Sequence, residues 1–287
     1  MPMSGRDSLS KLKPNVRQSY ALLRSAMSDR YTTLAIEAAH QAGKLLRENF
    51  RHGHNFELKS GFRDLVTEFD RRAEEIIVSL IRKNFPDHSI LTEEGSVHPT
   101  HTAPYQWIID PIDGTTNFAH GFPFFAISIA LYSRDDALVG VVYNPIHDEL
   151  FVGEAGHGAY LNGQPIRVSQ TETLQESLVM TGFPYDERLI PQHLAWWERF
   201  ARRTQTLRRL GSSALALAYL AAGRADGYWE LDLKPWDMAA AVLIVREAGG
   251  RVTDLRGDRL NLYGGEVLAT NGRIHDAMIA LLQSERE

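Results

Sequence analysis

The chain carries its densest chemistry in Trp107-Ile108-Ile109-Asp110-Pro111-Ile112-Asp113-Gly114-Thr115-Thr116-Asn117-Phe118. The apolar run from Trp107 to Ile109 reads as a buried strand that ends in a carboxylate. Pro111 has no amide donor and a fixed φ, so it interrupts a smooth strand or helix there. Asp113, Gly114 and two hydroxyls follow. Two acids on a sharp turn past a buried strand can converge on one point, and Gly114 leaves the backbone there open to a ligand. A helix starting near Thr115 would aim unpaired amides and its positive end at the same point, which suits a phosphate. Carboxylates repel phosphate unless cations lie between them, and an all-oxygen ligand set favours Mg²⁺. The alternative is an ordinary turn, since Asp-Pro and Asp-Gly both signal turns.

Three further acids fit the same chemistry. Ser89-Ile90-Leu91-Thr92 reads as a short strand ending in Glu93-Glu94-Gly95. If that strand lies beside the central one, Glu93 comes to Asp110 and Asp113. Asp237, in Lys234-Pro235-Trp236-Asp237, falls in the first turn of a helix that is apolar nearly all round through Val245, so it should be buried. The helix dipole favours a carboxylate there, but Ser or Asn would cap without a charge, so a facing cation explains it best. Asp70 follows Thr67 by three residues, as in a capping box, and that local role stands beside a functional one.

The elements that must position these acids are also readable. A helix capped by Ser28 or Asp29 should bury Leu34, Ala38, Ala42 and Leu45, and the next should bury Ala73, Ile76, Ile77, Leu80 and Ile81. From Phe124 to Val168 the strand rhythm, with a turn at Asn162-Gly163, describes an antiparallel meander. Beyond Ser169 strands alternate with helices, which implies a more parallel second sheet. Gly211-Ser212-Ser213 stands at a strand-to-helix turn, where it could face a polyol or simply cap the helix. Residues 1–27 are polar and read as a mobile N-terminal extension. His52, His54, His98 and His101 form no metal-ligand pattern.

Composition narrows the class. With 287 residues and 44% hydrophobic content the chain can bury a large core. A net charge of −5 gives no pull toward nucleic acid or anionic membrane, and the pairs Arg202-Arg203 and Arg208-Arg209 are expected on solvated faces or an interface. The absence of cysteine removes disulfides, thiolate metal sites and a Cys nucleophile. No apolar run approaches the ~20 residues that span a bilayer, and no signal peptide is evident. A soluble cytoplasmic protein is expected.

The Asp110–Phe118 string together with Trp236-Asp237 resembles the signature of the inositol monophosphatase family, lithium-sensitive, magnesium-dependent phosphomonoesterases. The resemblance runs from about residue 28 to the end. It implies a layered α-β-α-β-α sandwich of the sugar-phosphatase type, of mixed α+β and α/β character, with an antiparallel sheet followed by a mixed one. It divides the catalytic domain, 28–287, into a lobe of residues 28–168 with the main metal ligands and a lobe of residues 169–287 with substrate contacts. By the same resemblance Glu93, Asp110 and the Ile112 carbonyl hold a first Mg²⁺, and Asp110, Asp113 and Asp237 hold a second. Asp70 with Glu93 supports a third, where Thr115 and Glu93 orient the attacking water. Gly114 and Thr115 amides cradle phosphate, while Gly211, Ser212, Ser213 and Glu230 meet the substrate's hydroxyls. Lys59 matches a loop lysine that closes over the site. Ser213 stands where the family often has a small apolar residue. The resemblance further implies a homodimer acting on a small phosphorylated polyol. Fructose 1,6-bisphosphate, histidinol phosphate, 3′-phosphoadenosine 5′-phosphate and a non-catalytic regulatory role are the alternatives.

Overall fold

The computed structural model describes residues 30–50, 56–61, 64–95 and 103–284. The N-terminal extension, the proposed caps Ser28 and Asp29, the four histidines at 52, 54, 98 and 101, and the Lys59 side chain lie outside the described residues.

Helices α1 (Arg30–Asn49) and α2 (Glu68–Asn84) flank a hairpin of β1 (Phe56–Gly61) and β2 (Asp64–Thr67). A seven-stranded sheet follows, in sequence order from β3 to β9. It comprises β3 (Ser89–Thr92), β4 (Gln106–Asp113), β5 (Ala126–Ser133), β6 (Asp136–Asn144), β7 (Glu149–Glu154), β8 (Gly158–Leu161) and β9 (Gln164–Pro165), with the one-turn helix α3 (Thr115–Ala119) between β4 and β5. Every pairing is antiparallel except β3 with β4. The second sheet has five strands: β10 (Leu178–Thr181), β11 (Thr206–Arg208), β12 (Gly227–Leu231), β13 (Arg251–Thr253) and β14 (Glu266–Thr270). Their spatial order is β11-β10-β12-β14-β13, and β10 runs parallel to both neighbours. Helices α4 (Ile190–Arg203), α5 (Ser213–Ala221), α6 (Pro235–Glu247) and α7 (His275–Gln283) complete the chain.

The strands alternate their side chains between layers, and that alternation builds the sandwich. On β4, Trp107 and Ile109 join the core under α1 and α2, while Ile108 joins the core around α5 and α6. That middle core also takes Met180, Tyr228, Val267 and Ala269 from the second sheet. The second sheet's other face, with Val179, Trp229 and Leu268, packs on Trp196, Phe200 and Met278 of α4 and α7. The five layers are therefore α-β-α-β-α, as the family resemblance implies. In α1 the deeply buried leucine is Leu46, and Leu45 is only half-buried.

Helix α6 is apolar all round because it is enclosed on every side; Met238 to Val245 are all buried. Its axis comes unusually close to the first sheet. A methyl on Gly140 of β6 would collide with the Ala240 carbonyl, and one on Gly153 of β7 would lie 3.0 Å from the Ile244 Cα. The Tyr132 hydroxyl donates to the Ala239 carbonyl at 3.1 Å, and the Ser128 hydroxyl to the Trp236 carbonyl at 3.1 Å. The helix that carries Asp237 is thus fixed against the strand paired with β4.

Candidate active site

Parallel pairing sets β3 and β4 with their C-terminal ends side by side, Thr92 opposite Ile109. The Glu93 amide continues the ladder, donating to the Ile109 carbonyl at 3.3 Å. Glu93 therefore stands next to Asp110, as two adjacent strand ends require.

Strand β4 does not stop at Asp110; it continues to Asp113 through an irregularity at Pro111-Ile112. Asp110 pairs with Ser128 and Asp113 with Ala126, so three steps on β4 match two on β5. In a regular strand residues three apart face opposite sides. One extra residue, a β-bulge, turns both carboxylates to the same side. The bulge is closed by the Ile112 amide donating to Asp110 Oδ1 at 3.0 Å.

Asp237 arrives from α6 and is half-buried rather than buried, with Oδ2 accepting from the Lys234 amide at 2.7 Å. One carboxylate oxygen from each of Asp110, Asp113 and Asp237 lies within 4.8 Å of the others. Glu93 lines the same acidic recess, of about 260 Å³, together with Ile112, Gly114 and Thr115. Asp70 joins through Thr115, whose hydroxyl lies 2.8 Å from Asp70 Oδ1 and 3.0 Å from the Ile112 carbonyl. A hydroxyl has one proton to donate, so it serves only one of these at a time. The capping box also forms: Asp70 Oδ2 accepts from the Thr67 amide at 2.7 Å, and Thr67 Oγ1 accepts from the Phe69 amide at 3.2 Å. Asp70 thus holds the start of α2 and faces the acid cluster at once.

Asp113 is tied to the second half of the chain. It accepts from the Ser212 hydroxyl, from the Ala214 amide at 2.7 Å and from the Ser213 amide at 3.2 Å. It therefore satisfies the open N-terminus of α5, where Ser212 is the N-cap. The Ser213 hydroxyl donates to Glu230 at 2.7 Å, and the Tyr228 hydroxyl donates to the same carboxyl. Both serine hydroxyls thus have partners within the protein. Gly114 has φ of 102°, and its missing side chain makes room for the Gly211 carbonyl, 3.0 Å from where a methyl would sit. Glycine there serves this turn-against-turn contact as well as an open backbone.

Electrostatics follows from burying so many acids together. Burial raises Asp110 well above the usual carboxylate range, reinforced by Glu93 and Asp113. Burial likewise raises Asp237, with Asp113 and Glu93 adding to it. It pushes Asp113 up to about 6 against its three hydrogen bonds, Asp70 up to about 7, and Glu230 up to about 8. Without cations the cluster retains protons at neutral pH. Oxygen-only donors whose charge is otherwise unbalanced suit hard divalent cations, so the residues present fit Mg²⁺.

Beside the acids opens a cavity of about 540 Å³, with Asp113, Asp237 and Gly114 at one end and Glu230, Ser213 and Gly182 along its wall. Gly182 was not foreseen: a methyl there would overlap the Glu230 carboxyl. Asp232 was also missed. At φ of 65° it accepts from the amides of Tyr185 and Asp186 at 3.1 and 3.0 Å, fixing a wall loop. Asn117 ties two loops by donating to the carbonyls of Phe124 and Leu210, at 2.6 and 2.8 Å. Only Asn117 left a signal, as a polar residue inside the central string. Of the arginine pairs, Arg202 bonds Glu198 at 2.7 Å, whereas Arg209 lines the cavity.

The layered fold and its acid-lined cavity describe a phosphatase, and similarity to known proteins agrees. The model of the inositol monophosphatase family matches residues 27–287, and the chain belongs to that family. It is 45% identical over 246 residues to an inositol-1-monophosphatase of Synechocystis, covering 85% of this chain and 86% of that protein. It is 42% identical over 253 residues to a protein named Nus factor SuhB of Pasteurella multocida, covering 87% and 94%. The solved structure of the extragenic suppressor protein suhB from Bartonella henselae superposes with a TM-score of 0.86 at 38% identity, covering 90% of this chain and all of that one.

Proposed function

We propose that the chain is a Mg²⁺-dependent phosphomonoesterase that hydrolyses inositol monophosphates to inositol and phosphate. The observation that carries the reading is the convergence of Asp110, Asp113 and Asp237, from β4 and α6, beside a cavity sized for a small polyol. Glu93, Asp110 and the Ile112 carbonyl would hold one Mg²⁺, Asp110, Asp113 and Asp237 a second, and Asp70 with Glu93 a third. Bound there, the ions supply neutralisation of phosphoryl charge and a more acidic water. The chain's own groups do the rest. Thr115 and Glu93 orient the attacking water, and the Glu93 carboxylate takes its proton. Amides of Gly114 and Thr115 face the phosphate. Glu230, with one oxygen held by Ser213, accepts from a substrate hydroxyl, and the Gly211–Ser213 turn forms the adjacent wall. Lys59 lies on β1, in the hairpin that we propose closes over the site.

Fructose 1,6-bisphosphate, histidinol phosphate and 3′-phosphoadenosine 5′-phosphate remain alternative esters for the same centre. Relatives named inositol monophosphatase and relatives named Nus factor are about equally similar, so relatedness alone does not separate an enzyme from a regulatory protein. The retained acid cluster favours catalysis. We further propose a cytoplasmic homodimer that takes a small phosphate ester rather than nucleic acid. No helix among the described residues is long and apolar enough to cross a membrane. Phosphate release from a panel of esters, with and without Mg²⁺ and with added Li⁺, tests the proposal. Mg²⁺-dependent turnover greatest on inositol monophosphates is expected; no turnover on any ester would leave the regulatory role.

A further inference from the structure

A second pocket, of about 210 Å³, lies at the opposite ends of the two elements that carry the catalytic acids. Strand β4 gives Gln106 and Ile108 to it and Asp110 and Asp113 to the acid cluster. Helix α6 gives Val242 and Arg246 to it and Asp237 to the cluster, nine residues or about 14 Å along the axis. The remaining wall comes from the β5–β6 turn, with Arg134 and Asp135, and from the segment before β14, with Arg259, Asn261 and Tyr263.

Three arginines therefore face one concave space with a single acid. Among the described residues, none of the three makes an ion pair or a hydrogen bond, although most exposed arginines of this acidic chain do. The position of Arg246 in the last turn of α6 is favourable on its own, since a cation suits a helix C-terminus. That does not account for Arg134, which holds a left-handed φ of 55° at a turn where Gly or Asn would fit without strain. Nor does it account for Arg259. The Asn261 amide and the Tyr263 hydroxyl, which donates to Gln106 Oε1 at 3.2 Å, add to the polar lining. Planar guanidiniums grouped around a small concavity are the chemistry that recognises phosphate oxygens.

We propose that this pocket is a second anion site, taking a small, multiply charged phosphate compound, separate from the acid cluster and the substrate cavity. Its volume admits a pyrophosphoryl group rather than a macromolecule, and its formal lining charge of three arginines against Asp135 matches such an anion. Isothermal titration of the full chain with inorganic pyrophosphate in EDTA tests this, because without cations the acid cluster offers the probe nothing to bind. Saturable binding is expected, weakened at least tenfold in Arg246→Ala and in Arg259→Ala, and at least threefold in Arg246→Lys, which keeps the charge without the planar fork. All three side chains are exposed, and thermal unfolding curves should show the variants folded. No saturable binding by the wild type would overturn the proposal. So would equal affinity in the alanine variants, or loss of binding in Arg209→Ala alone, which would put the probe in the substrate cavity. Binding of long polyphosphate without pyrophosphate would overturn the small-ligand assignment.

Discussion

The substitution Gly182→Ala probes the wall of the proposed substrate cavity through a single methyl group. Gly182 follows β10 with an ordinary negative φ, so alanine meets no backbone strain there. The added methyl instead lands on the Glu230 carboxyl. Glu230 is buried and held by the Ser213 and Tyr228 hydroxyls, so it can give way only by breaking them. Overpacking of this kind costs about 1–3 kcal/mol, and each kcal/mol lowers Tm by about 2–4 °C in a chain of this size. If Glu230 contacts substrate, losing a hydrogen bond to its largely protonated carboxyl removes about 0.5–1.5 kcal/mol, or roughly 2- to 13-fold in kcat/KM.

The decisive form of the test is a double-mutant cycle with Glu230→Ala. Truncating Glu230 empties the space the methyl needs, so Gly182→Ala should be nearly neutral in that background. Urea unfolding measures the stability arm, and phosphate release from an inositol monophosphate measures the catalytic arm. Equal destabilisation by Gly182→Ala in both backgrounds would refute the contact. A stability loss with unchanged kcat/KM would refute the role of Glu230 in binding substrate.

The raised carboxyls predict a pH dependence for the cation-free protein. Asp113, Asp70 and Glu230 are held up to about 6, 7 and 8, above their unfolded values, so the native state binds more protons than the unfolded one. Stability in EDTA should be fullest below about pH 4 for these groups and fall as pH rises through about 8. Mg²⁺ should restore Tm increasingly over that range, and a Tm difference that stays flat with pH would contradict the cation fit. Asp110→Asn should reduce turnover roughly a thousandfold or more, since several kcal/mol of charge stabilisation is lost. The same variant should raise Tm in EDTA by removing one buried charge; retained activity would dissociate Asp110 from the metal centre. Gly140→Ala should cost about 1–3 kcal/mol by chemical denaturation, because backbone rather than a flexible side chain blocks the methyl.

Much of the architecture was legible because periodicity reports burial. The strand Ser89–Thr92 has the expected bounds, and strands alternate with helices beyond Ser169 as expected. The all-round apolarity of α6 announced a helix enclosed between layers. The acids were legible as types at strand and helix ends. Less legible was where each hydroxyl and carboxylate directs its bonds. The Gly211-Ser212-Ser213 turn reads equally as a cap or a polyol contact in sequence. In the fold Ser212 caps α5 and donates to Asp113, and Ser213 holds Glu230. Gly182 and Asp232 carried no signal because their importance lies in contacts with residues 46 to 48 positions away.

The least legible feature is also the one the site most depends on. Nothing in Asp-Pro-Ile-Asp says that β5 will pair across it, and without that pairing the string is a turn like many others. Once β5 places Ser128 opposite Asp110 and Ala126 opposite Asp113, the extra residue has to be accommodated as a bulge. Pro111 suits that position because the missing amide would otherwise need a ladder partner. The bulge then puts both acids on the side reached by α6, and α6 can reach it because Gly140 and Gly153 let the helix lie close to β6 and β7. Two glycines 27 and 40 residues beyond Asp113 therefore govern how near Asp237 comes to the other carboxylates. The acid cluster is a consequence of sheet register and helix approach together, which is why a methyl at Gly140 should weaken cation binding as well as stability, although Gly140 touches none of the acids.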